Sequence, residues 1–180
     1  MATAKYIKDT MKNPKVYMIG EEGLRFALEE SGLQIVEEDA DLVVMGLDRD
    51  ITYEKLAKAA LEIRKGATFI ATNGDVALPT ERGFLPGAGS LVSVLSVSTG
   101  VQPKFIGKPE PIIVEQALEV LGTPKSETVM VGDNYKTDIL AGINAGIDSL
   151  LVYITTKEEL ELIEKKPTHA IDSLAEWTLE

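Results

Sequence analysis

The stretch that decides the fold is VMVGDNYKTDILAGINAGI, which runs from Val129 to Ile147. It begins with an apolar run typical of a buried strand and continues into a Gly- and Ala-rich pattern typical of a helix. Two aspartates, Asp133 and Asp138, stand where the strand ends and the helix begins. Because burial of an unpaired carboxylate is costly, aspartates at this place indicate a bound metal ion or a catalytic site.

Strand and helix patterns alternate on both sides of this stretch, which predicts an α/β fold with a parallel sheet. Apolar runs predict strands at residues 15–20, 33–37, 40–47, 67–72, 103–108, 149–154 and 168–173. Helical spacing predicts helices at residues 1–13, 21–32, 52–66, 90–100, 110–122, 136–146, 156–165 and 174–180. Residues 73–90, NGDVALPTERGFLPGAGS, are rich in Gly and Pro and predict a loop.

The overall composition excludes several classes of function. The chain has 180 residues and a net charge of −11, which argues against binding to a nucleic-acid backbone. It contains no Cys and a single His, His169, so disulfides, thiolate nucleophiles and Cys-ligated metal sites are excluded. We see no signal peptide and no apolar run long enough to cross a bilayer. We therefore expect a cytoplasmic protein with no nucleic-acid and no membrane partner.

Three charged residues are candidates for a phosphate-handling site. Asp133 and Asp138 would suit a hard cation such as Mg²⁺, which prefers oxygen ligands. The alternative is that Asp133 caps the helix and Asp138 is a solvated charge in its first turn. Lys108, in the segment IGKPEP, follows a predicted strand and could neutralise a phosphate or the carboxylates. The alternative interpretation of Lys108 is an ordinary surface lysine in a turn.

Two segments together resemble a known family. IGKPEPIIVEQALEVLG (106–122) and ETVMVGDNYKTDILAGINAGIDSLLVY (127–153) are similar to the third and fourth motifs of the haloacid-dehalogenase-like (HAD) superfamily, in its NagD-like phosphatase branch. The upstream segments VYMIGEEGL, DADLVVMGLDRDITYEKL, GATFIATNGD and LPTERGFLPGAGSL resemble the large α/β cap domain of that branch. The resemblance implies a helix at 1–14, a cap at 15–104 and the C-terminal part of a HAD Rossmann-like core at 105–180.

The resemblance also implies a chemistry and a role for each site residue. It implies Mg²⁺-dependent hydrolysis of a small sugar or nucleotide phosphate, in which an Asp nucleophile takes the phosphoryl group. Lys108 would be the catalytic lysine that balances charge around the phosphate and would also bind substrate. Asp133 and Asp138 would hold the metal. Asn73 and Asp75, in the cap loop, would face the substrate.

Two motifs that stand ahead of the cap in the family, the nucleophile segment and a second motif formed by a strand that ends in Thr or Ser, do not occur ahead of the cap in these residues. The nucleophile segment, Asp-x-Asp-Gly-Thr, stands ahead of the cap in the family, so we expect an N-terminally truncated form with little or no activity. One alternative takes Asp48, Asp50 and Thr72 as substitutes, although Ile51 stands where the motif has Gly. Another is a non-catalytic module that binds a ligand or a partner. Absence of the nucleophile strand would expose the strand at 128–133, an edge through which copies of the chain could associate.

Overall fold

The structure is a computed structural model that describes residues 2–152, 161 and 163–178. Two compact units make up the chain, Met1–Gly107 and Lys108–Glu180. The predicted α/β class is confirmed, because the two larger sheets are built from parallel strands with helices between them. Most of the helix predicted at 156–165 lies outside the described residues, and among those described no helix is long and apolar enough to cross a bilayer. The division at 14 and 104 stays a prediction.

The first unit is a five-stranded parallel sheet with helices and a small hairpin. Its elements are α1 (Ala2–Thr10), β1 (Lys15–Ile19), α2 (Glu22–Glu30), β2 (Gln34–Ile35), β3 (Leu42–Met45), α3 (Tyr53–Lys65), β4 (Thr68–Ala71), β5 (Ala77–Thr80), β6 (Gly83–Pro86), α4 (Ala88–Thr99) and β7 (Lys104–Phe105). The sheet order is β2-β1-β3-β4-β7. All four residues of β3 are buried, as expected of a central strand covered on both faces. The carboxyl ends of β3 and β4 therefore meet at one edge of the sheet.

Helix α3 begins and ends as the sequence predicts. Thr52 caps its N-terminus, where the hydroxyl accepts a hydrogen bond from the backbone N–H of Lys55. Gly66 ends it with φ of 109°, a left-handed conformation that favours glycine. The helix buries Ala59 and Ile63 against the sheet and α4.

Glu62 is a buried carboxylate on the inner side of α3, exposed to only 4%. It accepts a hydrogen bond from Lys65 Nζ at 2.8 Å and another from the backbone N–H of Ala40 at 2.9 Å. The hydrogen bond from Lys65 is the largest cause that lowers the pKa of Glu62, against the opposing effect of burial. The ionised form is therefore favoured in the folded chain.

This lowered pKa predicts a loss of stability in acid. Since the folded pKa of Glu62 lies below the ordinary value of 4.5, its contribution is complete above pH 4.5 and is lost as the pH falls through the folded pKa. We expect Glu62→Gln to lower the free energy of unfolding by about 1–3 kcal/mol at pH 7, and by less below pH 4. Urea unfolding between pH 3 and 7 measures this. The same loss at every pH would contradict it, and the exposed Glu81→Gln is the control.

Residues 73–90 differ from the predicted loop. They contain a two-stranded antiparallel hairpin, with β5 paired to β6, and they end at the first turn of α4. At the tip, Thr80 Oγ1 donates a hydrogen bond to the carbonyl of Gly83 at 2.8 Å, and Gly83 has φ of 104°. The prediction missed the hairpin because the Gly and Pro residues that punctuate it outweigh its short apolar alternation.

The second unit is a three-stranded parallel sheet with helices. Its elements are α5 (Ile112–Leu121), a 3₁₀ turn (Lys125–Glu127), β8 (Val129–Gly132), a π-helical turn (Tyr135–Ile139), α6 (Leu140–Ala145), β9 (Asp148–Val152), β10 (His169–Ile171) and a 3₁₀ turn (Leu174–Glu176). The order is β10-β9-β8. Helices α5 and α6 pack their buried apolar residues together and against Met130.

Two features of this unit bear on the predictions. The helix predicted at 174–180 is only a 3₁₀ turn at Leu174–Glu176, capped by the Ser173 hydroxyl. Strand β8 pairs with β9 and is otherwise an edge of the described sheet, with Val129 and Val131 exposed to 37% and 42%. The edge predicted from the sequence is therefore present among the described residues, whereas its use in association stays a prediction.

Candidate active site

Lys108 and Asp138 form a close ion pair. Lys108 Nζ lies 2.5 Å from Asp138 Oδ1. The aspartate side chain is 12% exposed and the lysine side chain 43%. The other carboxylate oxygen, Oδ2, accepts the backbone N–H of Asn134 at 3.4 Å. The structure thus joins two of the predicted residues across a separation of 30 positions in the sequence, and Asp138 is not the solvated charge of the alternative interpretation.

Gly132 makes room for this pair at the end of β8. A Cβ built on Gly132 would overlap the Cβ of Asp138 and would lie 2.7 Å from its Cγ. The chain then makes a π-helical turn, in which the N–H groups of Asp138 and Ile139 both donate to the carbonyl of Asn134, at 2.9 and 3.3 Å. A π turn adds one residue to a helical turn, and here it sets the aspartate directly against the strand end.

Asp133 follows Gly132 and is exposed. The residue that caps the turn is its neighbour Asn134, whose Oδ1 accepts the backbone N–H of Lys136 at 3.0 Å. The alternative in which Asp133 caps the helix is therefore wrong. Among the described residues, Asp133 has no hydrogen-bond or ion-pair partner, so its carboxylate is available to a ligand at the carboxyl end of a parallel strand.

The other predicted residues, Asn73 and Asp75, lie in the first unit at the carboxyl end of β4. Asn73 Nδ2 donates a hydrogen bond to Asp75 Oδ2 at 2.7 Å, and Thr72 Oγ1 donates to Asn73 Oδ1 at 2.8 Å. The three side chains form a short chain of hydrogen bonds. Asp75 is exposed, so one of its carboxylate oxygens is open to solvent or ligand. Their role in substrate binding stays a prediction.

Gly87 and Gly89 hold the N-terminus of α4 against this loop. A Cβ on Gly87 would overlap the backbone carbonyl of Asp75, and one on Gly89 would overlap that of Gly74. The N–H of Gly89 donates to the Asp75 carbonyl at 2.9 Å, and Ser90 Oγ donates to the Val76 carbonyl at 2.7 Å. The sequence pattern does not reveal these contacts, because the glycine spacing shows only that the backbone is permissive.

Asp48 is buried, and both of its carboxylate oxygens are paired. Its side chain is 4% exposed, Oδ2 pairs with Lys55 Nζ at 2.7 Å, and Oδ1 accepts the backbone N–H of Asp50 at 2.9 Å. The same lysine donates to the Asp50 carbonyl at 3.0 Å. Both oxygens of Asp48 are thus used to fix the chain between β3 and α3. This geometry favours the interpretation of Asp48 as a residue that orders the entry to a helix.

We predict that Asp48 and its neighbour Asp50 differ sharply in their effect on stability. Asp48→Ala should lower the free energy of unfolding by about 2 kcal/mol, because it leaves the Asp50 N–H without its acceptor and removes the carboxylate that pairs with the Lys55 ammonium. Asp50→Ala should cost less than about 0.5 kcal/mol, since the structure uses its backbone. Urea unfolding of both variants measures the difference. Equal losses would show that the buried carboxylate has no special role.

The curated relatives of the chain are phosphatases. A family model described as HAD-hydrolase-like matches residues 105–177. The chain is 65% identical over 179 residues to the 5′-nucleotidase YutF of Bacillus subtilis, a match that covers 98% of the chain and 70% of the relative. It is 54% identical to an acid sugar phosphatase of Staphylococcus epidermidis, with 97% of the chain and 68% of the relative covered.

Solved structures agree with these relatives. A double mutant of the thermostable NPPase from Geobacillus stearothermophilus superposes with a TM-score of 0.92 at 56% identity, covering 98% of the chain and 70% of that structure. The 4-nitrophenylphosphatase of Thermotoga maritima superposes with a TM-score of 0.88 at 39% identity, covering 97% and 68%. The cap and the partial core expected from the resemblance are thus matched to known folds. The chain belongs to the NagD-like branch of phosphatases in the HAD superfamily.

Proposed function

We propose that this chain supplies the metal-holding and charge-balancing part of a Mg²⁺-dependent phosphatase for a small phosphorylated metabolite, a sugar or a nucleotide phosphate. The observation that carries the proposal is the Lys108–Asp138 pair beside the carboxylate of Asp133, which has no partner in the part of the chain that the structure describes. Relatives named 5′-nucleotidase and acid sugar phosphatase support the substrate class. We also propose a cytoplasmic location, because a chain without cysteine needs no oxidising compartment.

The residues at the end of β8 fit Mg²⁺ in its usual mode of binding. Mg²⁺ is held by one or two carboxylates and keeps waters and phosphate oxygens in its remaining positions. Asp133 offers an exposed carboxylate. Asp138 lies close by in sequence, with one carboxylate oxygen on Lys108. Among the described residues, no group of three or more Asp, Glu or His side chains could together hold a metal ion.

Each residue would then have a distinct task. Asp133 would hold the metal directly, and Asp138 would orient the metal's ligand shell while it fixes the Lys108 ammonium. Lys108, whose side chain is 43% exposed, would neutralise a phosphate oxygen from the protein side. Mg²⁺, when bound, would place further positive charge beside the phosphate. Catalysis of phosphoryl transfer depends mainly on such electrostatic stabilisation and on positioning of the reactants.

We infer that these 180 residues by themselves hydrolyse phosphate esters weakly or not at all. Covalent catalysis needs an accessible nucleophile beside the phosphate, and the family's nucleophile motif does not occur in this sequence. The one similar segment carries a buried, fully paired Asp48. A second candidate function follows from the same observation: the chain would bind a phosphorylated ligand or a partner without catalysis.

Binding of Mg²⁺ and inorganic phosphate to the purified chain tests the proposal. Isothermal titration calorimetry should detect Mg²⁺ binding that Asp133→Asn weakens at least tenfold and that Asp172→Asn, at an exposed aspartate of the same unit, leaves unchanged. Lys108→Met should still bind Mg²⁺. Inorganic phosphate should increase the affinity of the parent chain for Mg²⁺ but not that of Lys108→Met. Equal Mg²⁺ binding by the Asp133 and Asp172 variants would overturn the assignment of the metal site.

An activity assay tests the alternative in which Asp48 is the nucleophile. With p-nitrophenyl phosphate and Mg²⁺, the parent chain should show hydrolysis close to the buffer rate. Mg²⁺-dependent turnover that Asp48→Asn abolishes, with the fold retained by circular dichroism, would instead identify Asp48 as the nucleophile. Phosphate-dependent Mg²⁺ binding without turnover would support a metal and phosphate site that lacks its attacking group.

A further inference from the structure

The loop after β4 contains an asparagine followed by a glycine, Asn73–Gly74, whereas the other asparagines of the chain have larger or cyclic neighbours. Asn13 precedes a proline, Asn134 a tyrosine and Asn144 an alanine. An asparagine side chain can react with the backbone nitrogen of the next residue, and glycine hinders that approach least because it has no Cβ. Asn73 is therefore the asparagine with the most reactive sequence context.

The fold itself does not require glycine at position 74. Gly74 lacks the left-handed φ of glycines such as Gly83, and a Cβ built on it would meet the Phe105 ring at 3.4 Å, an ordinary van der Waals distance. By contrast, Gly87 and Gly89 have no room for a Cβ. Among the described residues, the N–H of Gly74 donates no hydrogen bond. This nitrogen is therefore available as a nucleophile.

Two hydrogen bonds hold the Asn73 side chain and polarise its carbonyl group. Nδ2 donates to Asp75 Oδ2 at 2.7 Å. Since a carboxylate accepts hydrogen bonds and an amide NH2 group donates them, this contact fixes which end of the amide is nitrogen. Oδ1 therefore faces Thr72, whose hydroxyl donates to it at 2.8 Å. Such a donor stabilises the negative charge that develops on Oδ1 when a nucleophile adds to Cγ, as in an oxyanion hole.

We propose that Asn73 is a site of spontaneous covalent modification, at which the folded chain converts this asparagine into aspartate and isoaspartate with the help of the Thr72 hydroxyl. The Gly74 nitrogen gives its proton to solvent and forms a bond to Cγ of Asn73. The bond between Cγ and Nδ2 then breaks, and Nδ2 takes a proton from solvent and leaves as ammonia. The remaining ring is a succinimide, and its formation needs no oxidant, reductant or cofactor.

Water opens the succinimide ring at either of its carbonyl carbons. Addition at Cγ restores the ordinary backbone and leaves an aspartate side chain. Addition at the backbone carbonyl carbon of residue 73 leaves isoaspartate, in which the chain runs through the former side chain and is longer by one methylene group. Asp75 and Val76 are exposed, so water reaches this loop. The modification is independent of the proposed phosphatase function.

Both products should disturb the loop that holds the start of α4. A carboxylate at residue 73 cannot donate to Asp75, so two negative charges would face each other where a hydrogen bond stood. Isoaspartate would also shift the chain against Gly89, whose N–H donates to the Asp75 carbonyl at 2.9 Å. Modification should therefore reduce the stability of the first unit and displace the Asp75 carboxylate.

Ageing of the purified chain in water enriched in heavy oxygen tests the site. Peptide mass spectrometry should find the heavy oxygen at residue 73, partly as isoaspartate, and not at the other asparagines. Gly74→Ala, for which the structure has space, should slow the reaction about tenfold, because the added methyl group hinders the attacking nitrogen. Absence of label at residue 73, or faster labelling of another asparagine, would overturn the proposal.

Variants of Thr72 test the role of the hydroxyl. Thr72→Val keeps the β-branched shape but removes the donor, and Thr72→Ser keeps the donor. An oxyanion donor in an enzyme contributes about 100-fold or more, and a hydroxyl on a loop open to water contributes less, so Thr72→Val should slow labelling by about tenfold. Thr72→Ser should react like the parent, and all three chains should react equally in urea. A folded Thr72→Val chain that reacts as fast as the parent would overturn the role of Thr72.

An exchange of the two side chains tests the effect on the loop. Asn73→Asp reproduces one product, and it should reduce protection from hydrogen exchange in the amides of β4 and α4. The double variant Asn73→Asp, Asp75→Asn again has one donor and one acceptor, so it should recover the protection of the parent. Full protection in Asn73→Asp, or no recovery in the double variant, would contradict the repulsion between the two carboxylates.

Discussion

Gly132→Ala should destabilise the second unit by about 3 kcal/mol, at the upper end of the usual cost of overpacking. The new Cβ would lie only 2.2 Å from the Asp138 Cβ. Rotation of the Asp138 side chain cannot relieve this overlap, because the Cβ is fixed by the backbone. The π-helical turn must move away from β8, and the Lys108–Asp138 pair must break or shift with it.

The single tryptophan of the chain reports this change. Trp177 lies in the second unit, where its ring packs edge-on against His169 at a centroid distance of 4.9 Å. The urea midpoint followed by Trp fluorescence should fall by roughly 1–2 M for a loss of 3 kcal/mol. Gly23→Ala is the control: a Cβ there meets nothing within 4 Å, and alanine in an exposed helix should stabilise by about 0.5–1 kcal/mol. A midpoint for Gly132→Ala equal to that of the parent would show that the contact with Asp138 is not obligatory.

Gly89→Ala should have an effect of similar size, about 3 kcal/mol, on the first unit. The new Cβ would overlap the backbone carbonyl of Gly74, and a carbonyl in a hydrogen-bonded loop cannot rotate away as a side chain does. The first turn of α4 would separate from residues 73–76, and the hydrogen bond from Gly89 N–H to Asp75 O would be lost. The position of Asn73 and Asp75 would change with it.

The two glycine variants act as controls for each other. In Gly89→Ala, the amides of β4 and α4 should lose protection from hydrogen exchange. The urea midpoint followed by Trp177 fluorescence should fall less in Gly89→Ala than in Gly132→Ala. If Gly89→Ala leaves the exchange of these amides unchanged, the close approach at Gly74 is not needed for the fold. If both variants move the Trp177 transition equally, the two units unfold as one.

Much of the architecture follows from local pattern. The strands β1, β3, β4 and β9 contain continuous apolar runs that are largely buried, as expected of strands covered on both faces of a parallel sheet. Strand β8 has the same apolar pattern but lies at an exposed edge. The boundaries of α3 follow from Thr52 and Gly66, because capping depends on residues next to each other in the chain. The candidates Lys108, Asp133 and Asp138 could be chosen because charged residues beside buried strands are unusual.

Other features depend on contacts between distant residues, which no local pattern contains. The sequence does not distinguish Gly132 from other glycines, since only the folded chain brings the Asp138 Cβ against it. Nor does it show that Asp48 is buried and paired whereas Asp133 is exposed, although both follow apolar strands. The pairing of β5 with β6 in the hairpin at 77–86, and the side of α4 that faces solvent, also depend on tertiary contacts. The sequence alone determined which segments are strands and helices and which charges border them, because these depend on near neighbours. Only the tertiary structure decided which carboxylates are satisfied and which are available, because burial and pairing are properties of the packed chain.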